Sequence, residues 1–176
     1  MIKDRYLVLF VEGEDDKRFF TSFFNNDPKI KYYEYSRKKN QDVRKYIQTI
    51  KKMPNFDYLY IADSDGKSCD ERKNSIVEKV NICEKEKIIV VCYEIESWYL
   101  AGLSEDDKKK MKIKKDFKET NNLTKEYFQS LVPLQFTSEI DFMIEILKIY
   151  KKEIAIKNNL SFDTFNKKWH RLFALY

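Results

Sequence analysis

Three apolar runs, each ending in acid, constrain this chain more than any other feature. Arg5-Tyr-Leu-Val-Leu-Phe-Val11 leads into Glu12-Gly13-Glu14-Asp15-Asp16. Asp57-Tyr-Leu-Tyr-Ile-Ala62 leads into Asp63-Ser64-Asp65-Gly66, and Lys87-Ile-Ile-Val-Val-Cys-Tyr93 into Glu94-Ile95-Glu96. β-Branched and aromatic residues without polar alternation suit strands buried on both faces, which occur in parallel sheets covered by helices. The segments between them carry helical stripes. Phe19, Phe20, Phe23 and Phe24 form one before Asn25-Asn26-Asp27-Pro28. Val43, Tyr46, Ile47 and Ile50 form a second, stopped at Met53-Pro54, and Ile76, Val77, Val80 and Cys83 a third. The shorter alternating segment 30–36 reads as a further strand near the sheet edge. The order β-α-β-α-β-α-β predicts an α/β fold with a parallel central sheet flanked by helices.

Parallel strands joined by right-handed crossovers point one way, so their C-terminal ends share an edge, where open α/β sheets place ligands. That edge is expected to collect Glu12, Asp63, Asp65 and Glu94 or Glu96, with Asp16 one helical turn beyond Glu12. No Arg or Lys stands at the strand ends to neutralise them. Two unit charges at about 4 Å repel by about 4 kcal/mol at an effective dielectric near 20. A divalent cation removes that repulsion, and oxygen-only ligands select hard ions, Mg²⁺ or Mn²⁺. Each motif also has a plain reading. The acids after Glu12 favour a helix N-terminus through its dipole, and Asp63-Ser-Asp-Gly has the composition of an ordinary turn.

Scarce residues exclude other chemistries. The single histidine, His170, makes a histidine-based nucleophile improbable. Cys69, Cys83 and Cys92 are odd in number and form no CxxC pair, which argues for inert thiols rather than a zinc site or disulfide framework. Three glycines, Gly13, Gly66 and Gly102, assemble neither a GxGxxG nor a P-loop motif. The longest apolar run, 88–93, is far short of the roughly 20 residues that span a bilayer. No secretory signal pattern opens the chain. With 15% aromatic residues and 34 basic against 29 acidic side chains, global disorder is excluded. A soluble, cytoplasmic protein is expected.

Val11-Glu12-Gly13-Glu14-Asp15-Asp16 after one strand and Ala62-Asp63-Ser64-Asp65-Gly66 at the end of another resemble the Toprim domain of topoisomerases, bacterial primases and OLD-type (overcoming lysogenization defect) nucleases. Tyr93-Glu94-Ile95-Glu96-Ser97-Trp98-Tyr99-Leu100-Ala101 and the later Ser161-Phe162-Asp163-Thr164-Phe165-Asn166-Lys167-Lys168 are similar to segments of small standalone Toprim proteins of that type. The resemblance covers about residues 4–103. It implies a Toprim-like (Rossmann-like) core over 1–103 and a mostly helical, basic C-terminal extension over 104–176 packed on that core. Carried onto this chain, Glu12 is the Toprim glutamate, acting as general acid/base or bridging ligand. Asp63 and Asp65 bind Mg²⁺ or Mn²⁺, and Asp16 and Glu96 complete a second metal position. Glu94 is the weaker of the two late glutamates. The implied reaction is two-metal hydrolysis of a DNA or RNA phosphodiester, in phage defence or a mobile element. The topoisomerase tyrosine domain, the primase zinc region and the OLD ATPase domain are all missing, which favours cleavage.

Residues 104–176 hold fifteen Lys/Arg against eleven Asp/Glu, with the densest run from Lys108 to Lys118. Helices are expected at 122–132, 138–152 and 161–174. Lys67, Lys112, Lys114, Lys115 and Lys168 are candidate nucleic-acid contacts, and Lys167 a candidate electrostatic stabiliser of the scissile phosphate. Trp98 and Trp169 are expected in the core. Two other readings compete. One is a Toprim-fold nucleic-acid-binding or regulatory subunit active only with a partner ATPase. The other is a haloacid-dehalogenase-type phosphatase, whose DxDG motif Asp63-Ser64-Asp65-Gly66 resembles; there the motif lies on the first strand and is followed by Thr, not Lys67. No membrane partner is expected, and a two-strand cut would be easier for a homodimer.

Overall fold

Each acid-ended run forms a strand, and the alternating segment adds a fourth. In the computed structural model, which describes residues 5–173, these are β1 (Tyr6–Val11), β2 (Ile30–Glu34), β3 (Phe56–Asp63) and β4 (Ile88–Val91). All three pairings are parallel, in the order β2-β1-β3-β4. The connecting helices are α1 (Glu14–Phe23), α2 (Asn40–Lys51) and α3 (Cys69–Val80). The chain is thus an α/β protein with a parallel sheet flanked by helices. It divides into two compact units between Val91 and Cys92, so residues 92–103, grouped with the first domain on sequence, belong to the second unit.

In the first unit, strand residues alternate between two buried faces. Val8, Phe10, Tyr58, Tyr60, Ala62, Ile88 and Val90 pack with Val43, Ile47 and Ile50 of α2 and Ile76 and Val80 of α3. Phe10 is the centre of this layer, with ring centroids of Tyr33, Tyr46, Tyr58 and Tyr60 between 5.1 and 5.8 Å away. The chain steps from β1 outward to β2 and then back across β1 to β3. Right-handed crossovers therefore carry α1 to the opposite face from α2 and α3. Phe19, Phe20 and Phe23 of α1 are buried there. β4 is shorter than the sequence implies. Cys92 and Tyr93 are not strand, and Tyr93 takes a left-handed backbone (φ 58°) that ends the run after Val91.

The second unit is helical: α4 (Glu96–Ala101), α5 (Glu105–Lys110), α6 (Lys125–Leu131), α7 (Glu139–Lys148), α8 (Lys152–Asn158) and α9 (Leu160–Phe173). Every residue of α4 is buried, against α6, α7 and α8. The Ser161-Phe162-x-x-Phe165 stretch has a structural explanation. Phe162 and Phe165 lie 5.2 and 5.3 Å from the Trp98 ring, while Ser161 Oγ accepts from Trp98 Nε1 (2.8 Å) and Cys92 N (3.1 Å). The same hydroxyl donates to Asn159 Oδ1 at 2.7 Å. Trp169, by contrast, is only half-buried.

The helix expected over 138–152 is broken after Lys148. Lys151 N is drawn to Gly102 O (3.1 Å) and Lys151 Nζ to the carboxylate of Asp107, contacts that a continuous helix would forfeit. The helix expected at 161–174 is present, with residue 174 outside the described residues. Among the described residues, no helix is long and apolar enough to cross a membrane. All three cysteines are free thiols, Cys83 buried, Cys92 half-buried and Cys69 exposed.

Candidate metal centre

The strand order itself selects a place for chemistry. The connection leaving β1 runs outward to β2, whereas that leaving β3 runs the other way to β4. A crevice opens where adjacent parallel strands send their chains in opposite directions, and ligands of open α/β sheets bind there. Here it lies between the C-terminal ends of β1 and β3. Continuing the β1–β3 register past Phe10↔Tyr60 sets Glu12 level with Ala62, one residue before Asp63.

Asp16 is brought to the same place by α1. Gly13 is the N-cap, and Asp16 in the first turn accepts a hydrogen bond from Gly13 N at 3.1 Å. The dipole reading of this acidic turn therefore holds alongside any ligand role. Asp16 is 5% exposed. Tyr35, just past β2, reports the convergence. Its hydroxyl donates to Ile61 O (2.9 Å) and its ring stacks on Tyr60 at 4.5 Å. Burial pushes the phenol well above its ordinary pKa, with further contributions from Tyr60 and from the carboxylates of Glu12, Asp16 and Asp63. Three carboxylates from β1, α1 and β3 thus act on one phenol. Reading the sequence for acids alone missed Tyr35; its position directly after an edge strand was the available signal.

Asp63 closes β3 and opens a turn in which Ser64 O accepts from Lys67 N at 3.0 Å. Asp65 (φ 50°) and Gly66 (φ 71°) both take left-handed backbone in its middle, the requirement of a type I′ geometry. Glycine meets that requirement without strain and aspartate tolerates it. The plain-turn reading of Asp-Ser-Asp-Gly is therefore correct for the backbone. The expectation that no cation stands at the strand ends is corrected here. Arg72 of α3 donates from Nε to Asp63 O at 2.7 Å and pairs through Nη1 with Asp65 at 2.8 Å. It comes nine residues after Asp63 and is returned by the first turns of α3. Asp65 is thereby committed to a guanidinium and its side chain is half-exposed. Glu12 and Asp63 thus stand at the neighbouring ends of β1 and β3, Asp16 lies in the first turn of α1, and Asp65 is set against Arg72.

The late glutamates belong to the second unit. Glu94 accepts from Lys125 N at 2.6 Å, and Glu96, 2% exposed, pairs with Lys125 Nζ at 3.1 Å. Burial raises the Glu96 carboxyl above its ordinary pKa against the opposing pull of Lys125. Lys125 is a partner that strand-end reasoning did not find, because it lies about thirty residues later in the chain. On α9, the exposed Lys167 pairs with Asp163 at 2.6 Å, one helical turn away, and Lys168 is half-buried. Lys112, Lys114 and Lys115 line a cavity within the second unit. Lys67 is exposed on the turn after Asp63.

The donors at the crevice fit a hard divalent ion in kind, being oxygen only. Two of their atoms, Glu12 Oε2 and Asp63 Oδ1, are buried and accept no hydrogen bond, although both residues make other interactions. Among the described residues, no three His, Cys, Asp or Glu side chains are drawn into a ready-made metal cluster. The site is a crevice with suitable donors rather than a closed cage.

No protein-family model matches the chain, and no curated protein does. Among solved structures, it is similar to the C-terminal region of the OLD protein of Xanthomonas campestris pv. campestris. That similarity has a TM-score of 0.45 and 14% sequence identity, and covers 97% of this chain and 100% of that one.

Proposed function

We propose that this chain is a Mg²⁺- or Mn²⁺-dependent nuclease that hydrolyses phosphodiester bonds of DNA or RNA at the β1–β3 crevice. The observation that supports this reading is the register that sets Glu12 beside the end of β3, one residue from Asp63, at the switch point of a parallel sheet, with Asp16 capped onto Gly13 N in the following helix. The Glu-Gly and Asp-x-Asp motifs that bear two of those carboxylates support it.

Glu12, Asp16 and Asp63 would hold the ions. Bound there, a divalent ion supplies a Lewis acid for the phosphoryl oxygens and lowers the pKa of a coordinated water. The protein's own groups set up that chemistry. Gly13 N fixes the Asp16 carboxylate through the helix cap. Arg72 holds the carbonyl of Asp63 and so the end of β3. Asp65 pairs with Arg72 through one carboxylate oxygen, and its other oxygen would be the one offered to an ion. Glu12 would hold or pass a proton at the reacting phosphate, the role its motif implies.

The test is cleavage of plasmid DNA, single-stranded DNA and RNA by purified protein with Mg²⁺, Mn²⁺ or EDTA, beside Glu12→Gln and Asp63→Asn. Metal-dependent cutting lost in both variants is the expected result. Cutting that survives both substitutions defeats the proposal. If the wild type cuts nothing, the regulatory subunit that waits for a partner ATPase becomes the better reading.

A further inference from the structure

The second unit contains a cavity of about 430 Å³ between the 112–115 segment and the end of α6 with the loop after it. Leu131, Val132, Pro133 and the fully exposed Leu134 are among its lining residues. Three of the remaining lining residues are Lys112, Lys114 and Lys115, and the lining contains no carboxylate. Its walls are held in place. Gln135 Nε2 donates to Met111 O at 3.2 Å, joining the loop to the segment opposite. Lys112 takes a left-handed backbone (φ 61°), which turns the chain into the lysine run. Lys115 Nζ donates to Ser130 Oγ at 2.9 Å and lies 5.4 Å from the Tyr127 ring centre.

We propose that this cavity docks an extended acidic segment of a partner protein, carrying one leucine-type anchor flanked by aspartate or glutamate. Charge and shape both select that occupant. The aliphatic lining and the fully exposed Leu134 offer an anchor point for one apolar side chain, set among cations. Three cations lie within positions 112–115 of the lining, and their combined charge favours a ligand with several anionic groups. A single-headed anion can face only one or two of them, whereas a peptide bearing several carboxylates can meet all three. Nucleic acid fits less well. Unpaired bases are held by stacking on aromatic faces or arginine planes, and the lining has neither. This inference stands independently of the nuclease reading.

The test begins with a library of random peptides displayed on phage and selected on the full chain. The selected sequences should share a Leu, Ile, Met or Phe with at least two Asp or Glu within three residues. Synthetic peptides of that consensus should bind the Leu134→Asp and the Lys114→Glu/Lys115→Glu proteins about tenfold or more weakly than wild type. Both sites are exposed, and unchanged far-UV circular dichroism would show that the variants remain folded. A consensus without carboxylates, affinities unchanged in both variants, or no selected binder overturns the proposal. So does an oligothymidylate probe whose binding both variants abolish while no acidic peptide binds, which would assign the cavity to nucleic acid.

Discussion

Replacing Ser161 with alanine should destabilise the second unit out of proportion to the single oxygen removed. Ser161 Oγ is the acceptor for Trp98 Nε1 at 2.8 Å and Cys92 N at 3.1 Å, and it donates to Asn159 Oδ1 at 2.7 Å. Trp98 is fully buried and Ser161 is 5% exposed, so water cannot readily replace the hydroxyl. Withdrawing the acceptor from a buried donor costs about 1–3 kcal/mol. Two donors lose theirs, while Asn159 Oδ1 keeps the hydrogen bond from Phe162 N at 3.0 Å. The expected loss is therefore about 2–6 kcal/mol. Urea denaturation followed by tryptophan fluorescence would show it as a lower midpoint at unchanged slope. A double-mutant cycle with Trp98→Phe, which removes one of the two donors, should show coupling of about 1 kcal/mol or more. A Ser161→Ala loss below about 0.5 kcal/mol, or strict additivity with Trp98→Phe, would refute the reasoning. The serine of the Ser-Phe-x-x-Phe stretch would then need a role other than anchoring α9 to α4.

Further expectations follow from packing and charge. A Cβ on Gly102 would come within 3.0 Å of three ring atoms of Tyr150, whose hydroxyl donates to Trp98 O at 3.0 Å. Gly102→Ala should therefore cost about 1–3 kcal/mol, and Tyr150→Leu should restore most of that in a thermal melt. Burial pushes the Cys83 thiol up to about 12. In native protein at pH 8, mass spectrometry should find the exposed Cys69 alkylated by iodoacetamide and Cys83 untouched until denaturant is added. Burial opposes ionisation of Asp107, yet hydrogen bonds from Lys151 and Ser104 hold its carboxyl below the ordinary 3.8. The resulting stability is present above that ordinary value and is lost as pH falls through the lower native one. Urea midpoints of wild type and Asp107→Asn should accordingly differ by a constant amount at pH 5–6 and converge below about pH 4. Phe10→Ala, in the centre of four tyrosines, should cost about 3–5 kcal/mol by calorimetry.

The sheet was legible because its signal is local. A run such as Ile88-Ile-Val-Val91 has no polar side to turn to water, so only a strand between two covered faces satisfies it. Placement of Glu12 and Asp63 on one edge followed from parallel pairing and crossover handedness, which hold for almost any sequence that makes such strands. Even the first-turn acids of α1 could be read from neighbours in sequence.

Partners remote in sequence were not legible. The pairing of Arg72 with Asp65, of Lys125 with Glu96 and of Lys151 with Asp107 each joins residues seven to forty-four positions apart. Such pairs depend on how helices return after the chain has turned, and no periodicity records that. The same holds for the break between α7 and α8, where apolar spacing continues but contacts to Gly102 and Asp107 outweigh helical continuity. Burial of hydrophobic surface is roughly proportional to area and indifferent to direction, so spacing along the chain was enough to specify the four strands and the three helices between them. A hydrogen bond or ion pair needs its two groups within a few tenths of an ångström and properly aimed. That condition is met only once the tertiary structure exists, and it decided which carboxylates are held by a cation.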